Sequence, residues 1–335
     1  GLEEKLLALF EAIHAPEWLT GVMVTGVYRT LAWVVSVMLP PMALFFPLFT
    51  LLEDFGYLPR IAFNLDHYFK KAHAHGKQAL TTCMGFGCNA CGVMGCRIID
   101  SPRERLIAIL TNCFVPCNGR FPTITSIIAM FFITGAMTGA LESLYSTLIL
   151  MGVILLGIFM TLLVSRLLSK TVLKGMPSSF VLELPPYRKP QFGKVLVRSL
   201  FDRTLFVLGR AVTVAIPAGL IIWCMANIDI NGISILKYCT DFLDPFGRFF
   251  GMDGVIIMAF LLGLPANEIV IPIIVMCYLG TGSLSEFENL QQLRVLLVEN
   301  GWTWLTAVCT LIFTLLHFPC GTTLATIKKE TGSKK

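Results

Sequence analysis

Charge is what this sequence has least of. Only 14% of its 335 residues are Asp, Glu, Lys or Arg, against roughly 25% in soluble domains. A chain this long cannot cover a water-facing surface with so few charges, so a soluble globular protein is excluded. Period-two alternation is also missing, which argues against a membrane β-barrel. The pattern G-x-x-x-x-G-K-[ST] does not occur, so the chain carries no P-loop of its own. There is no secretory signal peptide and no initiator methionine. The ends read as those of a part of a longer protein. The net charge of +5 is modest, and in an apolar chain it reports topology and not nucleic-acid binding.

What is present is apolar sequence in long runs. The mean hydropathy is +0.75. Residues 30–52, 143–165, 211–228 and 300–327 contain no Asp, Glu, Lys or Arg. Each is near the ~20 residues that span a bilayer as a helix. The expected fold is an all-α, multi-pass membrane protein in contact with the lipid bilayer.

The runs carry internal punctuation. Run 30–52 holds Pro40-Pro41 and is expected to break there. "GFGCN" (85–89), "FVPCNGRFPTI" (114–124), "GLPANEIVIP" (263–272) and "HFPCGTTLATI" (317–327) interrupt other apolar segments. These pair off in order along the chain: "VMLPPM" (37–42) with "VAIPAG" (214–219), Asn89 with Asn267, and Cys117 with Cys320. Three matches in one order make an internal repeat. The implied organisation is an interfacial amphipathic helix at 1–20, a first repeat at 21–168, a basic cytoplasmic linker at 169–200 and a second repeat at 201–335.

Charge then orients the halves. The loop 53–77 has four Lys/Arg, 97–105 has three and 166–203 has eight. The stretch 229–253 has two against four Asp, and 286–299 has one against three Glu. Lys/Arg-rich loops stay cytoplasmic. The pattern is consistent if segments 78–96 and 254–285 re-enter without crossing, which makes the two repeats inverted. Inverted repeats with broken helices are a transporter pattern with the site near the midplane. Non-helical backbone at that depth must line a cavity or lie inside protein.

The breaks supply the candidate ligands. Glu268 is the one charge in 254–285, and an intramembrane carboxylate is a functional candidate by default. The alternative is a structural carboxylate paired with Arg120. Cys88, Cys117 and Cys320 each occupy a break, and thiolate suits Fe(II), Zn(II) and Cu(I). Asn89 and Asn267 offer carbonyl oxygens at matching positions. Cys83, Cys91 and Cys96 are weaker candidates; "CNAC" (88–91) has zinc-knuckle spacing, but a closed zinc site needs four ligands. Cys224, Cys239, Cys277 and Cys309 read as small apolar residues. His67, His73 and His75 read as solvated loop residues, with a surface metal site as the alternative. His317 reads as a backbone hydrogen-bonder.

"GFGCNACGVMGCRIIDSPRERL", "PCNGRFP" and "HFPCGTTLATIKKETGS", with "LEDFGYLPRIAFNLD" (52–66) and "FDRTLFVLGRAVTVAIPAG" (201–219), strongly resemble the membrane region of the ferrous iron transport protein B family. The resemblance covers nearly the whole chain, and the halves look like that family's paired gate domains. It implies Fe(II) as the transported substrate, uptake across the bacterial inner (cytoplasmic) membrane, and Cys88, Cys117 and Cys320 as motif cysteines. It also implies a GTP-binding domain, with GTP and Mg, that lies outside this chain. Small accessory iron-transport proteins are implied as partners, and a homo-oligomer is left open. Where the family commonly has V-P after "GCN", this chain has Ala90-Cys91. The competing readings are a nucleoside or other metal-ion transporter with gate-type repeats, a thiol redox protein using Cys88 and Cys91, and a structural scaffold.

Overall fold

The computed structural model describes residues 2–71, 74–133, 139–173, 193, 197, 204–230, 232–284 and 289–332. Most of the linker at 169–200 and His73 lie outside the described residues.

Apolar sequence at membrane depth must pair its own backbone groups, and helix does this within one segment. The chain accordingly folds as α1 (Leu2–Ala12), α2 (Glu17–Thr20), α3 (Arg29–Asp54), α4 (Tyr57–Lys71), α5 (Gln78–Gly87), α6 (Asn89–Gly95), α7 (Pro102–Thr111), α8 (Phe121–Phe131) and α9 (Gly139–Lys170). After the linker come α10 (Leu205–Asn227), a hairpin of β1 (Asp229–Ile230) and β2 (Ile233–Ser234), α11 (Ile235–Phe249), α12 (Gly254–Leu262), α13 (Val270–Leu279), α14 (Leu290–Glu299), α15 (Trp304–Leu316) and α16 (Gly321–Thr331). The stretches Glu17–Leu52, Leu141–Lys170, Leu208–Asn227 and Trp304–Thr331 are long and apolar enough to cross a membrane. A fifth arises if the bent pair α11–α12 counts as one. The fold is all-α and multi-pass, as the composition predicts.

The four sequence interruptions become real breaks, at Cys88, at 112–120, at 263–269 and at 317–320. Pro40-Pro41 does not. Helix α3 runs through Pro40, Pro41 and Pro47. Each proline removes one N–H donor, but no water competes for the remaining bonds at membrane depth, so the helix persists. Upstream, Gly21–Tyr28 is a π-helical stretch. Trp223 of α10 lies over Gly21 and Gly26 there, and its Nε1 donates to Thr25 Oγ1 at 3.1 Å.

Two more expectations change. The acidic stretch 229–253, read as a loop, folds into the hairpin and α11. Lys237, Asp241, Asp244 and Arg248 recur at helical spacing on α11, joined by Lys237–Asp241 (2.9 Å) and Arg248–Asp244 (2.7 Å). Phe242 and Phe249 stand 83% exposed, as an interfacial amphipathic helix would present them. His75 is buried instead of solvated. Its Nδ1 accepts from the Lys77 N–H at 3.0 Å, and burial pushes its pKa down.

Two compact units emerge, and each draws on both sequence halves. The first takes residues 1–37, 122–150 and 209–314; the second takes 38–121, 151–208 and 315–335. The halves are therefore repeats of pattern, and the units are a separate division. In the first unit α11 and α12 meet at 110°. The corner depends on glycine. A Cβ on Gly254 would collide with the Thr240 carbonyl and lie 2.7 Å from the Asp244 nitrogen; one on Gly247 would lie 2.7 Å from the Asp253 carbonyl carbon. Backbone cannot yield as a side-chain tip can. Gly254→Ala is expected to cost about 3 kcal/mol or more, the upper range of overpacking. Thermal unfolding in detergent checks this; an unchanged midpoint would sink it.

In the second unit, helix α16 packs on α6, with Ile327 against the cluster of Val93, Cys96, Ile99, Ala108 and Ile109. Arg97 grips Glu330 with two bonds of 2.7 and 2.6 Å. Arg103 donates to Leu173 O at 2.5 Å and to Ser169 Oγ, tying α7 to the end of α9. The Lys77 ammonium, 2.8 Å from Asp100, holds that carboxyl below its usual range.

Candidate functional site

The stretch "MGFGCNACGVMG" folds as it does because its glycines leave room. Cys88 is extended (φ −154°, ψ 124°) and ends α5. Helix resumes at once, with the Cys91 and Gly92 N–H groups donating to Cys88 O at 3.0 Å. Into the crevice between α5 and α6 comes the side chain of Asn112. Its Nδ2 donates to Asn89 O at 3.1 Å. A Cβ on Gly85 would lie 2.9 Å from Asn112 Oδ1, and one on Gly92 would lie 2.8 Å from it. Any side chain at either position would expel the amide.

Asn89 is buried in the same break. With its amide nitrogen turned inward, it donates to Gly85 O (3.1 Å) and Val115 O (3.2 Å). Both N–H bonds then brace two breaks together. Cys88 and Cys91 share one buried cluster with Met42, Phe46 and Ala90, and their thiols are within hydrogen-bond reach.

The second break runs from a 3₁₀ turn at Asn112–Phe114, through extended Val115, to a turn in which the Arg120 N–H donates to Cys117 O at 2.9 Å. The fourth ends at Cys320, the extended residue before α16, whose Sγ lies 3.2 Å from Thr323 Oγ1. Arg120 locks the second break to the fourth. It is fully buried. Its Nη1 donates to Cys113 O and Leu315 O at 2.9 Å, and its Nη2 to His317 O (3.1 Å) and Phe318 O (3.3 Å). The guanidinium is thus spent on four carbonyls, not on a carboxylate.

The clamp fixes the backbone of the break that leads to Cys117 and of the break that ends at Cys320. The sequence reading passed over Cys113, whose carbonyl is one of the four acceptors. It also passed over Asn112, which belongs to no motif. Among the described residues no three His, Cys, Asp or Glu side chains converge closely enough to hold a metal ion together.

Asn267 and Glu268 belong to the first unit. They are buried in the 3₁₀ turn Asn267–Ile269, after the break that follows α12. Among the described residues no basic side chain pairs with Glu268; its carboxylate meets its own backbone N–H. The same unit holds a cavity of about 870 Å³ lined in part by Asp229, Asp241, Asp244 and Asp253. Asp253 accepts from the Ile256 N–H at 2.8 Å and from Tyr278 Oη, which in turn accepts from Trp302 Nε1 at 2.8 Å.

Comparison with known proteins bears on this arrangement. A family profile described as "Nucleoside recognition", the gate profile, matches residues 35–131 and 208–334. Between them, residues 150–202 match "Ferrous iron transport protein B C terminus". The "Fe(2+) transporter FeoB" of Staphylococcus aureus (strain COL) is 31% identical over 313 residues, which cover 90% of this chain and 43% of that protein. Its namesake from Methanocaldococcus jannaschii is 30% identical over 314 residues, covering 90% and 44%. A "Fe(2+) transport protein A/Fe(2+) transporter FeoB fusion protein" from Porphyromonas gingivalis is 26% identical over 347 residues, covering 90% and 40%. The chain therefore spans less than half the length of these relatives. No solved structure matches. With gate profiles over both halves and the iron-transporter profile between them, the chain belongs to the ferrous iron transport protein B family, within its membrane region.

Proposed function

We propose that this chain is the permease region of a GTPase-coupled uptake system that moves Fe(II) into the cytoplasm across the bacterial inner membrane. The observation that carries the reading is the clamp in the second unit, where Arg120 donates to carbonyls of two helix breaks, the one that leads to Cys117 and the one that ends at Cys320. Thiolate and amide donors suit a borderline cation. A set that does not close into a cage lets the ion leave again, as transport requires.

In this reading the two repeats are inverted and the acidic segment 229–253 faces outward. The aspartate-lined cavity there raises the local concentration of divalent cations. In the second unit Fe(II) sheds water against Asn89 and passes Cys88, Cys117 and Cys320; in the first, Asn267 and Glu268 are its ligands. GTP hydrolysis belongs to a domain outside this chain and biases the breaks through the cytoplasmic loops. The fused relative of Porphyromonas gingivalis supports an accessory iron-transport protein as a partner.

The test is anaerobic Fe(II) binding by the full chain beside Cys88→Ser/Cys117→Ser/Cys320→Ser. The triple variant is expected to bind at least about tenfold more weakly, the scale of losing metal-site groups, at unchanged monodispersity. Equal binding by both would remove the thiols from the path. A nucleoside that competes for uptake would favour the other activity that gate-type repeats support.

A further inference from the structure

We propose that Asn112 is a further oxygen ligand for the translocated cation, presented beside the Cys88–Asn89 break. The inference rests on the Fe(II) reading above. Asn112 is 2% exposed, and its Oδ1 is a buried acceptor with no hydrogen-bond partner among the described residues. Buried polar groups are almost always paired, so an unpaired one calls for a physical reason. A merely structural brace needs only the Nδ2–H that reaches Asn89 O. The brace leaves the oxygen idle, in a crevice walled by the backbone of the two helices that flank Cys88.

The sequence keeps that crevice open on both sides. Gly85 and Gly92 are the residues whose missing side chains admit the amide. An amide oxygen is a neutral donor that Fe(II) accepts beside thiolate. It adds affinity without the charge that would trap the ion. Oδ1 is sealed from solvent in this conformation, so the cation meets it when the break between α5 and α6 moves. One-turn shifts of such elements are a known switching device. Asn112 then lines the moving break together with Asn89, whose backbone it holds.

The experiment compares anaerobic binding of ferrous ammonium sulfate by the full chain in lipid nanodiscs with that of Asn112→Leu, Asn112→Asp and Gly92→Ala. Leucine fills the crevice without an oxygen and is expected to weaken binding about tenfold or more. Aspartate keeps the oxygen, adds charge and loses the N–H donor, so it is expected to bind at least as tightly as the parent. A ligand role separates these two variants, whereas a brace does not. Equal losses in both would reduce Asn112 to its hydrogen bond with Asn89 and overturn the inference, as would wild-type affinity in Asn112→Leu. If either Asn112 variant fails to elute as a monodisperse species, Gly92→Ala decides. Its methyl would displace the amide while Asn112 stays intact, and unchanged affinity there overturns the inference equally. Absence of binding by the parent chain would refute the Fe(II) reading itself and this inference with it; binding by the parent with no separation of the variants refutes this inference alone.

Discussion

Replacing Arg120 with methionine should prevent the chain from folding to a monodisperse species, whereas lysine should leave a folded but impaired one. Arg120 is fully buried and supplies donors to four carbonyls, those of Cys113, Leu315, His317 and Phe318. Methionine replaces the aliphatic stem but donates nothing. Each carbonyl stripped of a charged donor loses about 1–3 kcal/mol, and at membrane depth no water replaces it. Four such losses consume most of the ~5–15 kcal/mol that holds a typical fold together. Lysine keeps the charge but lacks the planar fork that reaches both breaks at once. It should satisfy the nearer carbonyls, lower the unfolding midpoint and reduce Fe(II) uptake by loosening the approach of Cys320 to Cys117. Size-exclusion profiles and thermal unfolding in detergent read the first effect, and uptake into proteoliposomes reads the second. A methionine variant with the parent's midpoint would show that the breaks hold each other without the clamp.

Glu268→Gln should do the opposite to stability and still abolish function. Glu268 is buried in an apolar helical segment, and among the described residues no basic side chain pairs with it. A buried, unpaired carboxylate costs several kcal/mol relative to water. Glutamine has the same shape and relieves that cost, so the unfolding midpoint should rise. At about 2–4 °C per kcal/mol for a chain of this order, even partial relief is measurable. Fe(II) uptake should nevertheless fall by at least about tenfold, because in the proposed path the carboxylate supplies the negative charge that compensates the cation. An expensive group retained for function gives this signature, a more stable protein that works less. Lower stability in Glu268→Gln would mean that the carboxylate has a partner that matters, and its role would then be structural. Unchanged uptake would remove it from the path whatever the stability shows.

Much of the pattern of helix breaks could be read before the fold was known, and the reasons are local. A break in an apolar run is a property of a few neighbouring residues: glycines around Cys88, prolines before Cys117 and Cys320, and Pro265 before Asn267. Each of those breaks is present in the structure. The carboxylate of Glu268 was conspicuous because nothing charged lies near it in sequence. Pro40-Pro41 misled for the same local reason. The rule that proline breaks helices reflects competition from water, and α3 at membrane depth has none.

What composition and pattern determined by themselves is the class of the protein, its broken segments, and the residue types at the breaks. Hydropathy sums over neighbours, so a linear reading suffices for it. The tertiary structure alone decided which breaks meet. Arg120 reaches carbonyls 195 to 198 residues away. Asn112 enters a crevice between helices 23 residues earlier, and the Cys113 carbonyl shares one guanidinium with those of Leu315, His317 and Phe318. Helix α11 was hidden because its charges recur at helical spacing within a stretch that composition marks simply as polar. Hydrogen bonds between distant segments leave no periodic trace in the chain. They exist only once packing has brought the donor to its acceptor, and the physical role of each of these residues follows from that approach.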